Sequence, residues 1–233
     1  MTESEWLVSA EPSLMLKHLL GPVTLTTPPT AWLKMGEYLE SRISERKSRL
    51  FSVACCNRIW DRLTDPRSRR AVEMGEEAAD GQIGRDEMKE VHAEACFFYR
   101  RGSFEGSFNA AEAACQPVSD DSDAALFCAE MVAKAVSDTE EPDRAEQVEQ
   151  AGLLREIIGN PFRPVVLNAA WLTSTVCALA SGIYSDRAFD RMPILADALQ
   201  DAGCDNEEVL GHCRGPGPHA RGCFVVDCLL GKK

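Results

Sequence analysis

Apolar residues recur along this chain at steps of three and four, the spacing of one face of an α-helix, and alternating strand-like runs are scarce. The clearest stripe runs from Ser44 to Leu63, where Phe51, Cys55, Cys56, Ile59, Trp60 and Leu63 share one side and Arg49, Arg58 and Arg62 lie largely outside it. Glu11-Pro12-Ser13 opens a short helix carrying Leu14, Met15, Leu16, Leu19 and Leu20, and Gly21-Pro22 stops it. A further helix is expected from Thr30 through Leu39. Val23 to Thr27 is β-branched, but Pro28-Pro29 follows at once, so it reads as an extended linker. Asp65-Pro66 starts a helix that reaches about Gly81. Arg85 to Tyr99 is helical, with Met88, Val91, Ala95 and Phe98 on one side, and Asn109 to Cys115 is alanine-rich.

Ser119 to Asp123 offers capping oxygens and carboxylates to the helix carrying Leu126, Cys128, Met131 and Val132. Ser137 to Asp143 is polar and acidic and contains Pro142. Gln147 to Ile158 is helical, ended by Gly159-Asn160-Pro161. Four more helices are expected beyond it: from Asn168 through Ile183, from Phe189 to Ala202, from Asp205 through His212, and from His219 to Leu230. The prediction is an all-α fold, as one multi-helix domain or two packed subdomains. The expected organisation is an N-terminal helical region over 1–136, an acidic hinge over 137–147 and a C-terminal helical region over 148–233.

With 233 residues, 45% hydrophobic and 27% charged, the chain is long enough to bury a core without staples. No basic, uninterrupted apolar leader is seen at Met1 to Trp6, and the stretch Val165 to Ile183 is too polar for a membrane span. A cytoplasmic protein with no membrane role is expected, so the 10 cysteines read as reduced, mostly buried side chains rather than a disulfide framework.

Net charge is −12, which opposes nucleic acid over most of the surface. Its distribution is uneven: residues 42–70 hold nine basic against three acidic side chains, a net of +6, and residues 105–156 hold three against thirteen, a net of −10. A basic face made of Arg42, Arg46, Arg49 and Arg58 is therefore a candidate binding surface. A protein partner with an acidic surface is expected ahead of nucleic acid. The alternatives are a solvated face, or docking onto the acidic segment of this same chain.

Two blocks carry a resemblance. One is Arg49-Leu-Phe-Ser-Val-Ala-Cys-Cys-Asn-Arg-Ile-Trp60, followed by Arg67 to Glu73. The other comprises Asn160 to Pro164, Ala188 to Leu199 and His212 to His219. Together they resemble a family of hypothetical proteins present in many copies in planctomycete bacteria, and the likeness covers about half of the chain. The resemblance implies a bacterial intracellular protein and lends no activity, cofactor or catalytic residue. By the same comparison, residues 21–41 look like an insertion.

The candidate chemistry lies near the C-terminus, in Cys204, His212, Cys213, His219 and Cys223. On the expected last helix, His219 and Cys223 stand four apart on one face, and zinc takes four sulfur or nitrogen ligands in a tetrahedron. The spacing has no Cys-x2-Cys knuckle, which favours the other reading, in which the cysteines fill a core and the histidines cap helix ends. His92 and Cys96 form a second four-residue pair, read as core-rim packing. The nucleophile-elbow, His-Glu-x-x-His and P-loop motifs are absent from the sequence. An interaction or accessory module ranks first, a zinc-binding helical protein second, and an enzyme of unrecognised type third.

Overall fold

Several helix starts in this protein are set by side-chain caps. Ser44 accepts from the Lys47 N–H and opens α1, Glu45–Arg58. Asp65 accepts from Arg67 N–H before α2, Pro66–Ala79, whose proline occupies a first-turn site where no donor is needed. In this computed structural model the described residues are 1–21, 43–100, 108–121, 123–137, 139 and 141–232. They form twelve α-helices and four short 3-10 turns, with no strand among them. The fold is all-α. None of these helices is long and apolar enough to cross a membrane.

Two short helices precede α1 in the chain and are labelled αA, Glu3–Val8, and αB, Pro12–Leu20. After α2 come α3, Arg85–Arg100; α4, Phe108–Cys115; α5, Ala124–Ser137; and α6, Arg144–Ile158. The last four are α7, Ser174–Asp186; α8, Met192–Asp201; α9, Glu207–Arg214; and α10, Phe224–Leu230. The expected helix at 30–39 and the insertion at 21–41 lie almost wholly outside the described residues.

Most of the buried apolar side chains fall into two clusters. In the first, αB, α1, α4, α5 and α6 converge, with Phe51, Cys55, Cys56, Cys128, Leu153, Leu154 and Ile157 inside. Helix α1 is its centre: every residue from Arg49 to Cys56 is buried, so this helix is surrounded rather than lying on a surface. Trp6 of αA is fully buried there and its indole N–H donates to the Gly159 carbonyl, 3.1 Å away, satisfying one polar group at the end of α6. The second cluster gathers Trp171, Val176, Ile183, Met192, Leu195, Leu199 and Val225 from α7 to α10. A smaller set under α3 contains Ala71, Val91 and Val118.

Along the chain the change of cluster falls between Phe162, packed on the first, and Val165, packed on the second. The acidic stretch 137–147 instead joins two helices of the first cluster, Asp143 donating its N–H to Ala133 and capping α6 through its carboxylate. Other boundaries differ from the expected ones: α6 starts at Arg144 and not Gln147, α8 at Met192 after a 3-10 turn from Phe189, and Asn206, not Asp205, caps α9, which runs to Arg214. The first long helix ends at Arg58 and continues as a 3-10 turn, Trp60–Arg62. Asn168 caps only a 3-10 turn, and Thr173 caps α7. The final helix begins at Phe224, not His219. Gly222, at φ +96°, leaves the helical region there, and a side chain at that position would press on Leu50.

A seam of charge joins the clusters. Asp227 of α10 receives Arg46 at 2.7 Å and Lys47 at 2.6 Å, both from α1. Asp80, at the end of α2, meets Arg221 at 2.9 Å and Lys232 at 3.1 Å, and accepts from the Tyr184 hydroxyl. That hydroxyl in turn accepts from Arg46 at 2.8 Å. Glu76 holds Arg187 and Arg221. All three carboxylates are buried, so each is matched by cations rather than by water.

Candidate metal centre

Helix α6 carries Glu156 on its last turn and a half, beside Leu153, Leu154 and Ile157, which sit in the first cluster. Its carboxylate is buried and turns toward three side chains from the second half of the chain. His212 comes from the last turn of α9, which Asn206 starts by accepting from the Glu208 and Val209 N–H groups. His219 lies on the connector to α10, and Cys223 is the residue immediately before that helix.

One ligand atom from each of these four residues lies within 4.8 Å of all the others. His212 Nε2 is 3.1 Å from Glu156 Oε2 and 3.2 Å from Cys223 Sγ. His219 Nδ1 is 3.2 Å from the same carboxylate oxygen. A tetrahedral ion with bonds of about 2.0–2.3 Å sets its ligand atoms about 3.3–3.8 Å apart, close to these separations.

The outer atoms of two ligand groups are held by the backbone. His219 Nε2 faces the Gly215 carbonyl at 3.3 Å, which can only accept, so Nε2 carries the hydrogen and Nδ1 is left for the centre. The Ala220 N–H donates to Glu156 Oε1 at 3.3 Å, leaving Oε2 as the inward atom. His212 packs its ring against His219 and Phe224.

Electrostatics follow from this packing. Burial alone would raise the Glu156 pKa, but hydrogen bonds and charge from His212 and His219 outweigh it and hold the carboxyl at about 2. The His219 imidazole is pushed up, chiefly by its hydrogen bond to Glu156. Burial and then the Glu156 charge push the Cys223 thiol well up, while the Val226 and Val225 N–H groups at the start of α10 favour its thiolate. A cation at the meeting point would be met by the Glu156 carboxylate, the Cys223 sulfur, His212 Nε2 and His219 Nδ1. The group could hold a metal ion.

Of the residues singled out in the sequence, the structure brings His212, His219 and Cys223 together. Cys204 and Cys213 lie elsewhere, buried in the second cluster. The Cys213 thiol is pushed up to about 12, first by burial and then by the Glu156 charge, as befits a protonated packing residue. His219 and Cys223 do not share a helix, because His219 precedes α10. Glu156 is the member of the candidate group that sequence reasoning missed. Its sole trace is a carboxylate inside the apolar run Leu153 to Ile158. Cys96 Sγ lies 3.3 Å from His92 Nε2 on α3.

The candidate basic face is engaged within the chain. Arg46 belongs to the seam. Arg49 is buried, donates to the Pro117 carbonyl and pairs with Glu45 at 2.9 Å. Arg58 meets Glu146 at 2.8 Å and Glu149 at 3.4 Å, both on the acidic segment. Arg42 lies outside the described residues.

Beside the centre lies a cleft of about 270 Å³, with Leu50, Val53 and Leu153 among its apolar lining and Arg58, Arg187 and His219 among its polar lining. No protein-family model, curated protein or solved structure matches the chain.

Proposed function

We propose that this is a zinc-binding helical protein whose metal is structural, held by Glu156, His212, His219 and Cys223. The observation that carries the reading is the convergence of four ligand atoms, two of whose side chains, His219 and Glu156, have their outer atoms held by backbone groups. Two nitrogens, one sulfur and one oxygen suit zinc, a borderline-soft ion. Calcium and magnesium take oxygen ligands throughout. Four protein ligands complete a tetrahedron with no position for substrate water, the mark of a structural site. The reading ranks above an interaction module built on Arg46, Arg49 and Arg58, because those side chains have partners within the chain.

Elemental analysis of protein purified without added metal tests it. One zinc per chain is expected, falling to well below one in Cys223→Ser and His212→Ala. Metal-free protein that neither takes up zinc nor changes its melting curve when zinc is added would sink the proposal.

A further inference from the structure

The connector from Gly215 to Gly222 reads Gly-Pro-Gly-Pro-His-Ala-Arg-Gly. Prolines aside, it has no large apolar side chain, so burial of hydrocarbon contributes little to holding it in place. Yet it lies at the junction of everything described above. Pro218, His219, Ala220 and Arg221 form one wall of the cleft. Arg221 reaches across to Asp80 and Glu76 in the seam. The Gly222 carbonyl accepts from Lys47 Nζ at 2.7 Å, and Lys47 also donates to the Ile157 carbonyl at 2.8 Å. Gly152 of α6 faces Pro218 with room for no more than ordinary contact.

The four ligands bracket this connector. His212 precedes it, His219 is inside it and Cys223 ends it, while Glu156 stands on α6 in the other apolar cluster. Glu156 also takes the Ala220 N–H with its outer oxygen.

Resting on the zinc reading above, we infer that metal occupancy acts as a lock between the two clusters: the ion fixes the 215–222 connector against α6, and with it the cleft wall and the Arg221 side of the seam. The bound ion draws Glu156, on the helix that carries Leu154 and Ile157 of the first cluster, to one point with His212, His219 and Cys223, the last of which sits in the second cluster. Stripped of its ion, the connector keeps the Ala220 packing on the first cluster, the hydrogen bonds of His219 and Ala220 to Glu156 and the Arg221 and Lys47 contacts, a weaker hold than four ligands on one ion, and it opens locally while each cluster keeps its own core.

Hydrogen exchange measured by mass spectrometry on the full chain tests this, comparing zinc-loaded protein with chelator-stripped protein at one pH. Amides of residues 211–224 are expected to exchange at least about tenfold faster when stripped, with α2 and α3 unchanged as an internal standard of folding. Cys223→Ser should reproduce the stripped pattern. Should that variant not fold, the stripped wild-type chain carries the comparison. Metal content is read on the same samples, which separates two failures. If no zinc is bound, the site itself is refuted and the lock with it. If one zinc is bound and the connector exchanges equally fast in both states, the lock alone is refuted. Loss of protection throughout the chain on stripping would also refute it, because the ion would then be holding the whole fold and not one connector.

Discussion

Arg46 and Asp227, 181 positions apart, face each other through two hydrogen bonds of 2.7 and 3.1 Å. The pair ties the first long helix to the last one, with Asp227 almost wholly buried and Arg46 mostly so. Asp227→Ala would take from Lys47 the carboxylate it meets at 2.6 Å and leave Arg46 with Asp80, at 3.6 Å. Removing one partner of a buried pair costs about 3–5 kcal/mol. A denaturant-unfolding cycle of Arg46→Ala, Asp227→Ala and the double variant should give a coupling energy above about 1 kcal/mol, more than exposed pairs supply. Coupling near zero would mean that the seam adds little to the docking of the two halves.

The metal centre and the cysteines of the second cluster separate by mutation. Glu156→Gln keeps the shape of the side chain and removes its charge, so zinc should bind much more weakly. In the wild type, zinc at about 100 times its Kd should add about 2.7 kcal/mol of stability, and in Glu156→Gln most of that gain should vanish. Cys213→Ser should behave in the opposite way, losing core packing while still binding one zinc. A Cys213→Ser chain that no longer binds zinc, with Cys223→Ser unaffected, would move the site to the wrong sulfur.

Alkaline pH should act through Tyr184. Burial first, and the hydrogen bond to Asp80 next, push its hydroxyl up to about 12, against the partial opposition of Arg46. In the unfolded chain a tyrosine titrates near 10. Between those values the folded protein holds the extra proton. The contribution of Tyr184 is therefore complete below pH ~10 and is lost as the pH rises through about 12. Phenolate absorbance should show a late step that Tyr184→Phe abolishes. A titration finished by pH ~10.5 in folded protein would contradict the environment described for this side chain.

Acid acts on the other side of the same contact. Burial raises the Asp80 pKa, but the Tyr184 and Lys232 hydrogen bonds and the Arg221 and Lys232 charges outweigh it, leaving the carboxyl below its ordinary value. Its contribution is present above the unfolded value of about 3.9 and disappears as pH falls through the lower folded value. Asp80→Asn should flatten the acid limb of the stability curve; an unchanged limb would show that the carboxylate is not what acid titrates.

Two glycines of α2 and α9 should respond to alanine with opposite signs. A methyl group on Gly75 would collide with Pro117, where α2 presses on the turn Gln116–Val118. Gly75→Ala should destabilise by about 1–3 kcal/mol. Gly211 in α9 has open space around it, so Gly211→Ala should stabilise by about 0.5–1 kcal/mol. Chemical denaturation of the two variants checks both.

Helices were legible because their signals are local. The Ser44 and Asp65 caps, Pro66 in a first turn and the stripe from Phe51 to Cys56 each require only a few neighbouring residues. Three of the four candidate ligands, His212, His219 and Cys223, were legible as residue types clustered within the given sequence. Glu156 was not, because its partners are 56 to 67 positions away and a glutamate on a helix ordinarily faces water. The same limit applies to charge. A count along the chain finds a basic segment and an acidic one, but only the fold shows that Arg58 closes on Glu146 while Arg46 is drawn to Asp227. The expected helix from His219 failed for a local reason: Gly222 turns the backbone where helical spacing alone would have carried it on.

The seam has a consequence for the order in which the protein is made. Arg46 and Lys47 emerge from the ribosome early, and the carboxylate that neutralises both of them is 180 residues behind Lys47. Until Asp227 follows, α1 presents two adjacent positive charges beside a largely apolar helix, and Asp80 lacks Arg221 and Lys232. The first cluster can collapse on its own apolar residues during this interval, since α6 completes it at Ile158. While the first cluster is complete and α10 is not yet made, the charged face of α1 and α2 stands open, and it closes only when Arg221, Asp227 and Lys232 reach it.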